Sequence, residues 1–287
     1  MAELDELFGI EKQTTMEPFS KDEWIKQKNE NKALAYEMLE TATQELNNPD
    51  AVMTYLDIQS RFDRYSVSNA LLVAHQYPEA TRLCDSKTWQ KNRAFIKKGE
   101  TGIIILEPGK EYTRSDGKTS VPYNAKKVFD ISQTTAKPRQ QNANTHDIRV
   151  VVKAIIRTSP VPVEISNQLP EEINAVYQPN AKKIFVRQGL DGDELVRAIT
   201  KEIAFARLDK GDFNRERLDL RAQAISYIIT SRVGYLPEPI SSVDESFSRL
   251  DVKEKRATLS EIRDHANTIS NTVNRTLMPR DKEHGDR

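Results

Sequence analysis

The sequence predicts an α+β fold, in which N-terminal helices lead into a small antiparallel sheet and a second α+β unit follows. Three patterns carry this expectation. Apolar residues recur at helical spacing over roughly residues 22–76. The β-branched run Ile103-Ile104-Ile105-Leu106 lies between Gly102 and Pro108, and an Asp116-Gly117 turn signal follows it. The second half repeats the mixture, with short strand-like runs ahead of long helical periods.

Residues 1–19 show no sustained period and read as a flexible tail. Ser20-Lys21-Asp22-Glu23 fits a capping box, so a helix is expected from about Asp22 to Leu46, ending at Asn47-Asn48-Pro49. A second helix starts near Asp50 and buries Val52, Tyr55, Leu56, Ile58 and Phe62; a third, from about Ser68 to Gln76, is apolar along Ala70–Ala74. Thr88 to Phe95 reads as a further short helix, Ser115-Asp116-Gly117-Lys118 as a hairpin turn, and Val121 to Ile131 as the returning strand. The first domain is therefore expected to span 20–134, followed by a polar linker over 135–148. In the second domain, 149–278, Val150–Ile156 and Val161–Ile165 are expected as short strands. Ala175–Val186 should form a hairpin through Pro179-Asn180, while Asp193–Leu208, Arg217–Val233 and Asp251–Leu277 should be helices. Residues 279–287 form a charged tail.

Lys+Arg 43 equals Asp+Glu 43, so net charge alone gives no argument for nucleic acid. The distribution is uneven, and fits either a local phosphate-binding face or an acidic front segment folded over a basic middle. Residues 1–50 carry 5 Lys/Arg against 12 Asp/Glu, whereas residues 51–150 carry 16 against 10. Cys84 is the single cysteine, which excludes an intrachain disulfide and a thiolate zinc cluster. The acidic N-terminus does not resemble a secretory signal and no apolar run reaches membrane-spanning length, so a soluble cytoplasmic protein is expected. No phosphate-binding glycine fingerprint is present. His75 reads as a structural histidine on an apolar helix, and His146, His265 and His284 lack ligand spacing.

Residues 61–134 interleave aromatic and basic side chains, the two things an unpaired strand needs: cations for phosphates, and flat rings on which a base stacks for about 1–3 kcal/mol. The candidate contacts are Arg64, Tyr65, Asn69, Trp89, Lys91, Arg93, Lys97, Lys98, Lys126 and Lys127. For several a structural role stands beside the contact role. Tyr65 belongs on a base or in the core, Asn69 on a base or holding a loop, and Trp89 on a base or over the first domain's core. Phe129 and Ile131 read as core.

The Tyr65-Ser66-Val67-Ser68-Asn69 helix start, Gln76-Tyr77-Pro78-Glu79-Ala80-Thr81, the Trp89 segment ending in Lys97-Lys98-Gly99-Glu100-Thr101-Gly102, and Val128-Phe129-Asp130-Ile131-Ser132-Gln133-Thr134 stand in one order. With these motifs the chain resembles ArdC-type antirestriction proteins. The resemblance implies an N-terminal domain that binds single-stranded DNA, a C-terminal domain like a zinc metallopeptidase, and a place on conjugative or mobile elements. Partners would be single-stranded DNA and conjugation- or restriction-related proteins, with no membrane.

In that family the helix aligned with Thr200–Ala206 carries H-E-x-x-H, whose two imidazoles four residues apart grip one Zn²⁺ beside a general-base glutamate. Here Lys201 and Phe205 stand at the histidine positions, Glu202 remains, and the family's third ligand aligns with Asp219. Two carboxylates without a histidine do not make a zinc site. The expectation is a zincin-like domain lacking its zinc ligands, with no cofactor, no metal and no enzymatic activity. Its vestigial site would hold an ion pair of Lys201 with Glu202 or Asp219, or else Lys201 and Glu202 face solvent. The function expected is sequence-tolerant single-stranded DNA binding. The alternatives are a metallopeptidase with unconventional ligands and a protein-interaction module.

Overall fold

A computed structural model describes residues 20–113, 116–137 and 146–277. The expected tails at 1–19 and 279–287, most of the expected linker, and Ser115 of the turn lie outside the described residues. Helices and small, mainly antiparallel sheets make up the expected α+β fold. Among the described residues no helix is long and apolar enough to cross a membrane.

Helix α1 (Lys21–Gln44) opens on the expected capping box, Ser20 Oγ accepting from the Glu23 amide at 3.2 Å while Glu23 accepts from the Ser20 amide at 2.9 Å. A single 3-10 turn, Glu45–Asn47, joins it to α2 (Pro49–Arg61). Pro49 is thus the first residue of α2 rather than only a stop, because a residue at that position needs no N–H. Ser66 caps α3 (Val67–Gln76), whose Ala70, Leu71, Leu72 and Val73 are buried.

Sheet one has the order β1-β5-β2, from β1 (Leu83–Cys84), β2 (Ile103–Pro108) and β5 (Tyr123–Asp130). Strands β2 and β5 pair antiparallel from Ile103↔Val128 to Pro108↔Tyr123. The Asp116-Gly117 signal lies not between those two strands but between β3 (Tyr112–Thr113) and β4 (Thr119–Ser120), a separate ribbon. Helix α4 (Ser86–Lys91) ends short of the expected Phe95 because Arg93 adopts a left-handed φ of 57°.

The expected strand at Val150–Ile156 is instead helix α5 (Ile148–Ile156), capped by Asp147. Buried Val151, Ala154 and Ile155 stand at i, i+3 and i+4, so packing one helical face overrides the β-propensity of the valine run. The second sheet, β6-β8-β7, joins β6 (Val163–Ser166), β7 (Ala175–Gln178) and β8 (Lys183–Arg187), with β6 parallel and β7 antiparallel to β8. Helices α6 (Gly192–Leu208) and α7 (Arg215–Arg232), the short α8 (Glu245–Ser248) and the long α9 (Val252–Leu277) follow.

One hydrophobic core runs from Leu39 and Tyr55 at the front to Ile228 and Ile269 at the rear. Polar bonds lock the halves together. The Arg232 guanidinium donates to the carbonyls of Gln59 (2.9 Å) and Ser60 (3.2 Å) and to Asn267 Oδ1 (2.8 Å), and burial pulls its pKa down to about 10. The Tyr227 hydroxyl donates to Asp57 Oδ1 at 2.7 Å.

Candidate nucleic-acid surface and the altered metal centre

The ten front candidates divide sharply. Trp89 is 1% exposed, with its indole N–H donating to the Phe129 carbonyl at 2.9 Å. It fills a small core with Ala94 and Ile131 and offers no face to a base, so the stacking assignment is corrected to a core one. Asn69 is also corrected. Its carboxamide accepts from the Leu106 amide at 2.8 Å and donates to the Leu106 carbonyl at 2.9 Å. Gln76 does the same to Ile104, at 2.9 Å for both bonds. Two amides on α3 therefore stand in for a missing strand along the free edge of β2.

Tyr65 is half-buried and stacks on Phe62 at 5.2 Å, with burial raising its pKa. The Lys126 ammonium is engaged by Glu107 at 2.9 Å and Asp85 at 3.1 Å, which raise its pKa and offset its charge. Lys127 is exposed, its stem packed with the Phe129 ring over Gly102, where a Cβ would meet both at 3.0 Å. Arg64 is exposed and has no ion-pair partner among the described residues.

Lys91, Arg93, Lys97 and Lys98 are exposed in one stretch, together with a ring not among the ten: Phe95, 60% exposed. This stretch is stitched down. The Phe95 amide donates to Thr135 Oγ1 at 3.0 Å, the Thr135 amide to the Phe95 carbonyl at 2.9 Å, and the Lys97 amide to the Gln133 carbonyl at 2.9 Å. The Val128–Thr134 motif is thus scaffold. Buried Asp130 accepts from the amides of Thr81 (2.7 Å), Arg82 (2.8 Å) and Ser132 (3.0 Å). Burial acts to raise its pKa, but those amides outweigh it and hold the carboxyl below the usual range. Gln133 in turn holds Glu100 and the Thr101 carbonyl. In the sequence Phe95 had one available signal, its place within a run of cations, Lys91, Arg93, Lys97 and Lys98.

At the rear, Lys201 meets Asp219 at 3.2 Å, one of the two pairings expected. Glu202 does not face solvent: it is 4% exposed, 2.6 Å from the Tyr177 amide. Its partner is one the sequence reading missed. Arg215, thirteen positions on, donates to Oε1 at 3.0 Å and to Oε2 at 2.6 Å. The guanidinium lies over the Phe205 ring, 4.2 Å from its centroid, and Phe213 packs edge-on to Phe205 and Tyr177. Burial and the nearby Asp209 push the Tyr177 hydroxyl up to about 12. Of these groups Lys201, Glu202 and Arg215 line a cleft of about 680 Å³, together with Asn174–Val176 at the start of β7, Arg197 and Leu236.

No protein-family model matches the chain. An uncharacterized protein, pXO2-81, from Bacillus anthracis is 24% identical over 155 residues, covering 53% of this chain. The match spans a quarter of that relative's length. Two crystal structures of the antirestriction ArdC protein from plasmid R388 are similar over most of the chain. The Mn(II)-bound form gives a TM-score of 0.56 at 13% identity over 86% of this chain and 97% of its own. The metal-free form gives 0.51 at 16% identity over 74% and 85%. This chain has the ArdC-type fold.

ArdC of R388 has been seen with Mn(II), so the residues here must be tested against a metal. They do not fit one. Lys201 is a cation bound to Asp219, Phe205 has no donor atom, and both oxygens of Glu202 are taken by Arg215. Among the described residues no group of three or more His, Cys, Asp or Glu is placed to hold a metal ion. In this version of the ArdC-type fold a guanidinium stacked on Phe205 balances the buried carboxylate.

Proposed function

We propose that this protein is a non-enzymatic, sequence-tolerant single-stranded DNA-binding protein of a conjugative or mobile element, with an antirestriction or strand-protecting role in the cytoplasm. One observation carries the reading: the exposed Phe95 ring stands among the exposed cations of Lys91, Arg93, Lys97 and Lys98, of which the Lys97 ammonium also donates to the Ser132 carbonyl at 2.8 Å, on a backbone pinned to residues 133–135. A ring held out from a rigid backbone stacks on an unpaired base at little entropic cost, for about 1–3 kcal/mol, while the cations follow the phosphates. Duplex DNA offers the phosphates but keeps its bases inside the helix, so the ring gains nothing there. The R388 protein's name as an antirestriction protein supports the biological role. The rear site supports the non-enzymatic reading, because a carboxylate bonded twice to Arg215 is not free to take a proton from water.

The test is fluorescence anisotropy of a labelled single strand and of its duplex at two salt concentrations, with wild type and F95A. The single strand should bind more tightly, and log K should fall with log salt at about 0.7 per phosphate engaged, roughly 2 to 3 in total. F95A should weaken the single strand by about 1–3 kcal/mol and leave the slope unchanged. Equal affinity for duplex, or F95A behaving as wild type, would remove the reading.

A further inference from the structure

A second polar cleft, of about 460 Å³, opens where the turn between α2 and α3 meets α9; Asp63, Arg64, Arg263, Asn267 and Asn271 line it. Its walls are fixed. Asn267 donates to the Asp63 carbonyl at 3.3 Å and accepts from the buried Arg232 at 2.8 Å, tying α9 to the turn and to α7 behind it. Arg263 bonds Asp264 through Nε (3.1 Å) and Nη2 (2.9 Å), which leaves Nη1 for a ligand. Neither Arg64 nor Asn271 makes a side-chain hydrogen bond or ion pair among the described residues, and both are exposed.

The charges at the cleft are the guanidiniums of Arg64, Arg263 and Arg232 against the carboxylates of Asp63 and Asp264, a surplus of one positive charge. Free guanidinium edges beside a carboxamide suit one singly charged tetrahedral oxyanion, which Arg binds through paired N–H donors. A phosphodiester carries that single charge. The cleft shares Arg64 with the front set of exposed cations, at the turn that leads directly into Tyr65 and α3.

We propose that this cleft seats one phosphodiester of the bound strand, through Arg64, Arg263 and Asn271, so that α9 is part of the nucleic-acid site. The proposal rests on the single-stranded DNA reading above. R263A/N271A is the test variant, with R263Q beside it because it keeps a polar, hydrogen-bonding side chain without the charge. Both are assayed as full chains by the same anisotropy titration, and by calorimetric titration with inorganic pyrophosphate alone, one of whose two phosphoryl groups presents the tetrahedral oxygens at a higher charge than a phosphodiester. The expected result is binding about three- to tenfold weaker and a salt slope smaller by about 0.7. Pyrophosphate heat should be present in wild type and lost in both variants. An unchanged slope in both variants, while F95A still weakens binding, would overturn the cleft assignment and leave the DNA reading standing. Pyrophosphate binding that both variants lose, in a protein that binds no DNA, would keep an anion site and remove the DNA reading. A wild type that binds neither probe would overturn both.

Discussion

Replacing Arg215 with Met tests what holds the rear site together. The thioether chain keeps its packing against Phe205 but removes both bonds to Glu202, leaving a carboxylate that is 4% exposed with the Tyr177 amide at 2.6 Å. Breaking a fully buried pair costs about 3–5 kcal/mol. The Arg215 side chain is 38% exposed, so water replaces part of what is lost, and the expected cost falls to about 2–3 kcal/mol. For a chain of this size that is a drop of about 3–5 °C in Tm. E202Q keeps an acceptor for the Tyr177 amide and returns Arg215 toward solvent, so it should cost less, about 1 kcal/mol. The double variant R215M/E202Q should be more stable than R215M alone, giving a coupling of about 1–2 kcal/mol between the two positions. Urea and thermal unfolding followed by circular dichroism supply all four corners of the cycle. R215M within about 0.5 kcal/mol of wild type, or an additive cycle, would show that Glu202 is not held by this guanidinium.

Two further expectations concern the front scaffold. D130N should lose two of the charge-assisted bonds that fasten the Thr81-Arg82 turn, costing about 2–4 kcal/mol near neutral pH. Because the folded carboxyl is held below its ordinary value of 3.8, its contribution is present above that value and is lost as pH falls beneath it. The stability gap between wild type and D130N should therefore hold near neutral pH and shrink as pH falls below 3.8 in urea titrations; a gap independent of pH would contradict the assignment. N69A strips both partners from the Leu106 peptide, which sits at a 6% exposed residue, and should cost about 2–3 kcal/mol. It should leave the salt slope of DNA binding untouched, and a slope that falls in N69A would return Asn69 to the contact surface.

Much of the architecture could be read from local chemistry. The Ser20–Glu23 box and the apolar spacing of Asp193–Leu208 and Asp251–Leu277 are written within a few residues, and the helices form there. Val150–Ile156 failed because a β-branched run and a buried helical face share the same residues, and only tertiary packing chooses between them. That Lys201 and Phe205 offer no metal-ligating atoms was visible at once. Arg215 was not: it reaches Glu202 across the loop between α6 and α7, with no periodicity to announce it. Asn69 and Gln76 lie seven positions apart on an apolar helix, a polar pair that served strand-edge capping rather than ligand contact. Trp89 and Phe95 show the remaining limit. Both are aromatic and flanked by cations in the sequence, and only the turn at Arg93 decides that one ring goes inward and the other outward.

The most direct measurement compares three full-length proteins on one labelled single strand: wild type, F95A/K97A/K98A, and R215M. Binding lost in the triple variant and retained in R215M is expected, because the stitched stretch holds the strand while the guanidinium-filled rear site serves the fold. Binding that survives in the triple variant and disappears in a folded R215M would contradict it.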